Sequence, residues 1–95
     1  RKAGKLPAEK ISHKYDLEYG TATIELHRDA VRSGQRLLIH DDLLATGGSA
    51  EAAAMLIQEA GGVVAGFSFL VELSMLEGSQ RLRSFSPDIQ SLAVY

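Results

Sequence analysis

The chain has 95 residues, 45% hydrophobic and 23% charged, and its ten basic and twelve acidic side chains give a formal net charge of −2. That balance excludes disorder over most of the length and argues against a duplex-DNA binder that depends on broad phosphate neutralisation. With no cysteine there are no disulfides, no thiol catalysis and no thiolate metal sites, and no apolar run approaches the roughly 20 residues a bilayer span requires.

From the amino end, residues 1–20 are polar, with Lys2, Lys5, Lys10 and Lys14 set among Gly4, Pro7 and Ser12 and no sustained period. They predict a long mobile loop, either an active-site lid or a disordered chain end, which would read alike. From Thr21 a strand begins, with Ala22, Ile24 and Leu26 on one face and Thr23, Glu25 and His27 on the other. Ser33-Gly34 marks a turn, and Leu37 to Ile39 read as a short apolar strand of the type buried in a parallel sheet. Its carboxyl end delivers Asp41 and Asp42. A helix is expected from Ser49, since Ala53, Leu56, Ile57 and Ala60 share one face, Glu51 suits the helix dipole, and Gly61-Gly62 ends the run. Val63 to Leu73 form a second buried strand, completing a strand-helix-strand unit whose crossover should be right-handed. Met75 to Leu82 predict a short helix, Pro87 a turn, and Gln90 to Tyr95 a last strand. The pattern is α/β, with a mainly parallel sheet flanked by helices.

The segment Leu37 to Ser49 carries the chemistry. An apolar strand runs into two acids and then into Ala45-Thr46-Gly47-Gly48-Ser49, which opens a helix. Free backbone N–H groups and the positive helix end can surround a phosphate there, while Asp41 and Asp42 sit where ribose hydroxyls or magnesium would lie. A Walker A loop needs Lys and then Ser or Thr after its last glycine, and a dinucleotide fingerprint needs GxGxxG; neither is present. A glycine pair alone equally fits an ordinary strand-to-helix turn, and the acid pair with its Thr46 and Ser49 flanks is what points to a ligand.

Asp41-Asp42-Leu43-Leu44-Ala45-Thr46-Gly47-Gly48-Ser49 resembles the phosphoribosyl-pyrophosphate (PRPP) motif of the type I phosphoribosyltransferases, in the form typical of adenine phosphoribosyltransferase. Arg1-Lys2-Ala3-Gly4-Lys5-Leu6-Pro7 resembles the RKxGKLP segment of that family, and Leu17-Glu18-Tyr19-Gly20 its LEYG segment. Phe69-Leu70-Val71-Glu72-Leu73 and Leu92-Ala93-Val94-Tyr95 also look like family strands. The resemblance runs through the whole chain and matches the second half of the family's usual length. It implies a partial domain with a Rossmann-like fold, residues 1–20 forming the mobile loop and 37–60 the PRPP-binding strand, loop and helix. It also implies a missing amino-terminal half that carries further strands, a hood over the base and much of a homodimer interface.

The activity implied is transfer of phosphoribosyl from PRPP to adenine, giving AMP and pyrophosphate in purine salvage, with Mg2+ on the pyrophosphate. On this basis Ala45, Thr46, Gly47, Gly48 and Ser49 would bind the 5′-phosphate. Asp41 and Asp42 would contact the ribose hydroxyls directly or through magnesium. Adjacent strand residues point to opposite faces, so both reach one ligand only if the backbone turns between them. Arg1, Lys2 and Lys5 match basic positions that offset charge on the pyrophosphate, Glu18 matches the glutamate proposed to manage a proton on the adenine imidazole ring, and Tyr19 would close over the ribose. Ser49 stands in place of the threonine common at that motif position and keeps its hydroxyl. His13, His27 and His40 lack metal-site spacing and receive no function. Glu72 reads as structurally paired.

The alternatives are a purine phosphoribosyltransferase for xanthine or hypoxanthine, and a non-catalytic PRPP-sensing regulator of the same fold. The LEYG and RKxGKLP segments weigh against the first, and Glu18 with the basic lid against the second. No nucleic-acid or membrane partner is expected, and a cytoplasmic location follows from composition and the resemblance.

Overall fold

A computed structural model describes residues 10–17, 20–27 and 29–95. In chain order the elements are β1 (Lys10–Leu17), β2 (Gly20–His27), β3 (Arg36–Leu44), α1 (Gly48–Glu59), β4 (Val63–Glu72), a 3-10 turn (Ser74–Leu76), α2 (Gly78–Leu82) and β5 (Ile89–Val94). β1 and β2 form an antiparallel pair in continuous register from Lys10 opposite His27 to Leu17 opposite Gly20. β3, β4 and β5 form a separate parallel sheet in that order.

Two expectations need correction at the amino end. Part of the loop foreseen over residues 1–20 is strand β1. Ile11, His13, Tyr15 and Leu17 do alternate with Lys10, Ser12, Lys14 and Asp16, but with so much polar character that the period of two is masked. On β2, Glu25 shares the polar face with Thr23 and His27, yet it is buried. α1 lies against both strands of the hairpin, and alternation alone does not tell which face of a two-stranded ribbon will be covered.

α1, β4 and β5 fall where the sequence puts them to within a residue, whereas β3 runs well past the apolar Leu37 to Ile39 and takes in both acids. α1 ends as its glycine pair requires: the Gly61 N–H donates to Gln58 O at 3.0 Å and the Gly62 N–H to Ile57 O at 2.8 Å, the paired bonds of a Schellman ending. Among its buried positions are Ala50, Ala54 and Ile57. They lie against Ile39, Val64, Phe67 and Phe69 of the sheet, and Leu44 and Leu82 complete the same core. The Phe67 and Phe69 rings stack with centroids 6.5 Å apart.

Val64 and Phe67 are both buried although three residues apart, which a regular strand forbids. The register shift between Leu37 and Leu38 explains it, because Leu37 faces Val64 while Leu38 faces Gly66, leaving Ala65 as an extra residue in β4. The Ser86 hydroxyl donates to the Ala65 carbonyl at 3.3 Å and secures the bulge.

The opposite face of the sheet is open: Leu38 is 62% exposed and Leu92 84%. His40 stands on this face with its Nδ1 3.3 Å from Ser68 Oγ, so it is an exposed residue and not a core histidine. The segment foreseen as one helix from Met75 to Leu82 is broken at Glu77, whose φ of 55° ends the 3-10 turn and starts α2. Among the described residues no helix is long and apolar enough to cross a membrane.

Candidate phosphate-binding site

Parallel strands place their carboxyl ends together, and ligands of open α/β sheets bind there. β3 runs three residues beyond Asp41, through Asp42 and Leu43 to Leu44, and the Ala45-Thr46-Gly47 turn then carries the chain into α1. Gly47 sits immediately before the helix with φ of 88° and ψ of 1°, a left-handed conformation that suits glycine. Its carbonyl accepts the Glu51 N–H at 2.8 Å, which closes the first turn. No side chain caps this end. The N–H groups of an α-helix's first turn have no partner within the helix, and here they sit at the positive end of its dipole.

Gly47 and Gly48 are buried, while the flanking Thr46 and Ser49 are exposed. The structure therefore brings together all five residues assigned to the 5′-phosphate, as one continuous turn. Buried glycines flanked by two exposed hydroxyl residues at the start of a helix are an arrangement suited to a dianion on a sugar.

The two acids are less symmetrical than their adjacency suggests. Asp41 is half-buried opposite Phe69 of β4, and its Oδ1 accepts the Asp42 N–H at 2.8 Å. Asp42 is exposed. The strand does not turn between them, so Asp41 approaches Asp42 by curling its side chain along the strand. Glu51, in the first turn of α1, lies 4.0 Å from Arg81 Nε of α2, which keeps a cation beside the acid nearest the loop.

Magnesium prefers oxygen ligands and retains several waters. Among the described residues no group of three or more His, Asp or Glu side chains could hold a metal, and one oxygen of Asp41 is already engaged.

Arg1, Lys2 and Lys5, assigned to pyrophosphate, and Glu18 and Tyr19, assigned to catalysis, lie outside the described residues. His40 and Glu72 behave as side chains of the sheet, Glu72 accepting the Ser91 hydroxyl at 2.9 Å. Sequence reasoning missed the role of α2, whose first residue packs behind the loop.

No family model matches the chain. A curated relative from Solibacter usitatus, an adenine phosphoribosyltransferase, is 56% identical over all 95 residues, which span 54% of its own length. The crystal structure of adenine phosphoribosyltransferase from Thermoanaerobacter pseudethanolicus superposes with a TM-score of 0.93 at 52% identity, over 100% of this chain and 54% of that one. This chain carries part of the type I phosphoribosyltransferase fold. It also resembles the adenine phosphoribosyltransferases along its full length. The Saccharomyces cerevisiae adenine phosphoribosyltransferase, complexed with an imino-altritol 1,6-bisphosphate and adenine, matches with a TM-score of 0.89 at 37% identity, over 97% of this chain and 51% of that one. The chain thus spans about half the length of the phosphoribosyltransferases it matches.

Proposed function

We propose that this chain supplies the PRPP-binding portion of an adenine phosphoribosyltransferase, which joins adenine to PRPP and releases AMP and pyrophosphate. The observation that carries this is the uncapped, glycine-containing turn Ala45 to Ser49 at the carboxyl end of β3, two residues after an acid pair. Support comes from the 56% identity to a curated adenine phosphoribosyltransferase and from a yeast relative that holds a bisphosphorylated imino sugar together with adenine.

In this proposal Ala45, Thr46, Gly47, Gly48 and Ser49 hold the 5′-phosphate and so fix the ribose. Because the strand holds Asp41 and Asp42 on opposite faces, one carboxylate contacts the ribose hydroxyls directly and the other acts through magnesium and water, which aligns the anomeric carbon with the incoming base and collects the entropic part of the rate gain. Arg1, Lys2 and Lys5 offset charge on the departing pyrophosphate, Glu18 holds the proton exchanged with the adenine ring, and Tyr19 excludes water. Magnesium arriving with PRPP would neutralise part of the leaving group's charge. We place the enzyme in the cytoplasm as a homodimer, with the residues that select the base outside this chain.

The test is formation of AMP and pyrophosphate by this protein from adenine, PRPP and magnesium, with hypoxanthine, guanine and orotate in parallel. Addition of ribose 5-phosphate, followed through the amide resonances of Ala45 to Ser49, reads the binding step separately. Adenine-selective turnover and shifts centred on those amides are expected. Turnover with another base but not adenine, or amides indifferent to ribose 5-phosphate, would overturn the proposal.

A further inference from the structure

The phosphate loop rests on a second backbone segment. A Cβ placed on Gly47 would stand 2.8 Å from the carbonyl oxygen of Gly78 and 3.3 Å from its Cα. In the reverse direction, a Cβ on Gly78 would run into the carbonyl oxygen of Ala45 and stand 2.8 Å from Leu44 Cδ1 and 3.1 Å from the Gly47 nitrogen. Two of those three atoms are loop backbone and cannot rotate aside. Gly78 is buried and is not among the described residues with positive φ. Its backbone would accept any residue, so space alone demands glycine there.

The segment that presents Gly78 is itself held at several points. The Leu73 N–H donates to Leu44 O at 2.9 Å, Leu82 is fully buried in the core, and Arg81 Nε lies 4.0 Å from Glu51 in the first turn of α1. Glu77 takes the left-handed conformation that sends the chain from the 3-10 turn into α2. Anything that pushed Gly78 away from the loop would have to disturb these anchors, so a side chain there displaces the loop instead.

We propose that Gly78 is a positioning residue for phosphate binding, whose missing side chain lets residues 45–48 settle where their N–H groups converge on the ligand. It acts through Ala45 and Gly47 and touches no substrate. The inference rests on the loop being the 5′-phosphate site.

The test compares Gly78→Ala with Gly66→Ala in the whole protein. A Cβ on Gly66 would stand 2.9 Å from the backbone oxygen of Asp88, a similar clash away from the loop. Ribose 5-phosphate affinity, KM for PRPP, KM for adenine and the melting midpoint are measured for each. Both variants should melt earlier. Gly78→Ala should weaken ribose 5-phosphate binding and raise the KM for PRPP by roughly ten-fold or more while leaving the KM for adenine in place. Gly66→Ala should bind ribose 5-phosphate as the parent does. Unaltered binding by Gly78→Ala, or equal weakening in both variants, overturns the proposal. If Gly78→Ala does not fold, hydrogen exchange in the parent decides: ribose 5-phosphate should slow exchange in residues 77–82 together with 45–49, and protection of the loop alone overturns it. A parent protein that binds no ribose 5-phosphate removes the premise itself, a result distinct from either of these.

Discussion

The two ends of β3 both turn on a left-handed glycine, and they use it for different purposes. At the leading end Gly34 has φ of 77° and nothing lies within 4 Å of the point where its Cβ would be. Its N–H donates to Gly61 O at 2.8 Å, so that turn simply stitches the strand to the end of α1. At the trailing end Gly47 has nearly the same φ, 88°, but is pressed against Gly78 and is followed by a helix start without a side-chain cap. One glycine serves only a backbone conformation. The other serves conformation and close packing together and, in the proposed function, the approach of a ligand as well, a combination that would separate a binding turn from a connecting one.

Four variants should break or sharpen this contrast. Leu82→Ala removes the fully buried side chain that seats α2 beneath the trailing turn, and it should cost about 2–5 kcal/mol in denaturant unfolding. A cost under about 1 kcal/mol would mean that the turn is not supported from that side. Gly47→Ala adds left-handed strain of about 1 kcal/mol to overpacking of about 1–3 kcal/mol, so a loss of about 2–4 kcal/mol is expected. Calorimetry with ribose 5-phosphate should also show affinity falling roughly ten-fold or more. Gly34→Ala carries only the strain, so it should cost about 1 kcal/mol and leave ribose 5-phosphate binding intact; weakened binding would erase the distinction between the two turns. Arg81→Gln breaks a half-exposed ion pair with Glu51, and thermal unfolding should register less than about 1 kcal/mol, with less effect as salt rises.

The same contrast governs what was legible in the sequence. β3, α1, β4 and β5 stand out because their signals are local: apolar runs of strand length, one helical face, and the Gly61-Gly62 stop. The turn proposed to hold phosphate stood out for the same reason, since acids, hydroxyls and glycines follow one another along the chain. β1 was hidden because alternation diluted with Lys, His and Asp looks like a polar loop, and the burial of Glu25 because it depends on where α1 lies. The contact of Gly78 with Gly47 joins positions far apart in the chain, and nothing near Gly78 announces it. The break at Glu77 was equally silent, because a glutamate with φ of 55° leaves no compositional mark.

The bulge in β4 is a place where the length of the chain is negotiable. Without Ala65, Val64 and Phe67 would be two residues apart and would still share the helix-facing side of the sheet, the Ser86 hydrogen bond being the main local loss, about 1 kcal/mol. Without Ser68, by contrast, Phe67 and Phe69 would become neighbours on opposite faces and the stacked pair in the core would be split. A chain lacking Ala65 should still melt cooperatively, while one lacking Ser68 should not. Evolution can therefore lengthen or shorten this strand at one point without rewriting the pattern on either side of it.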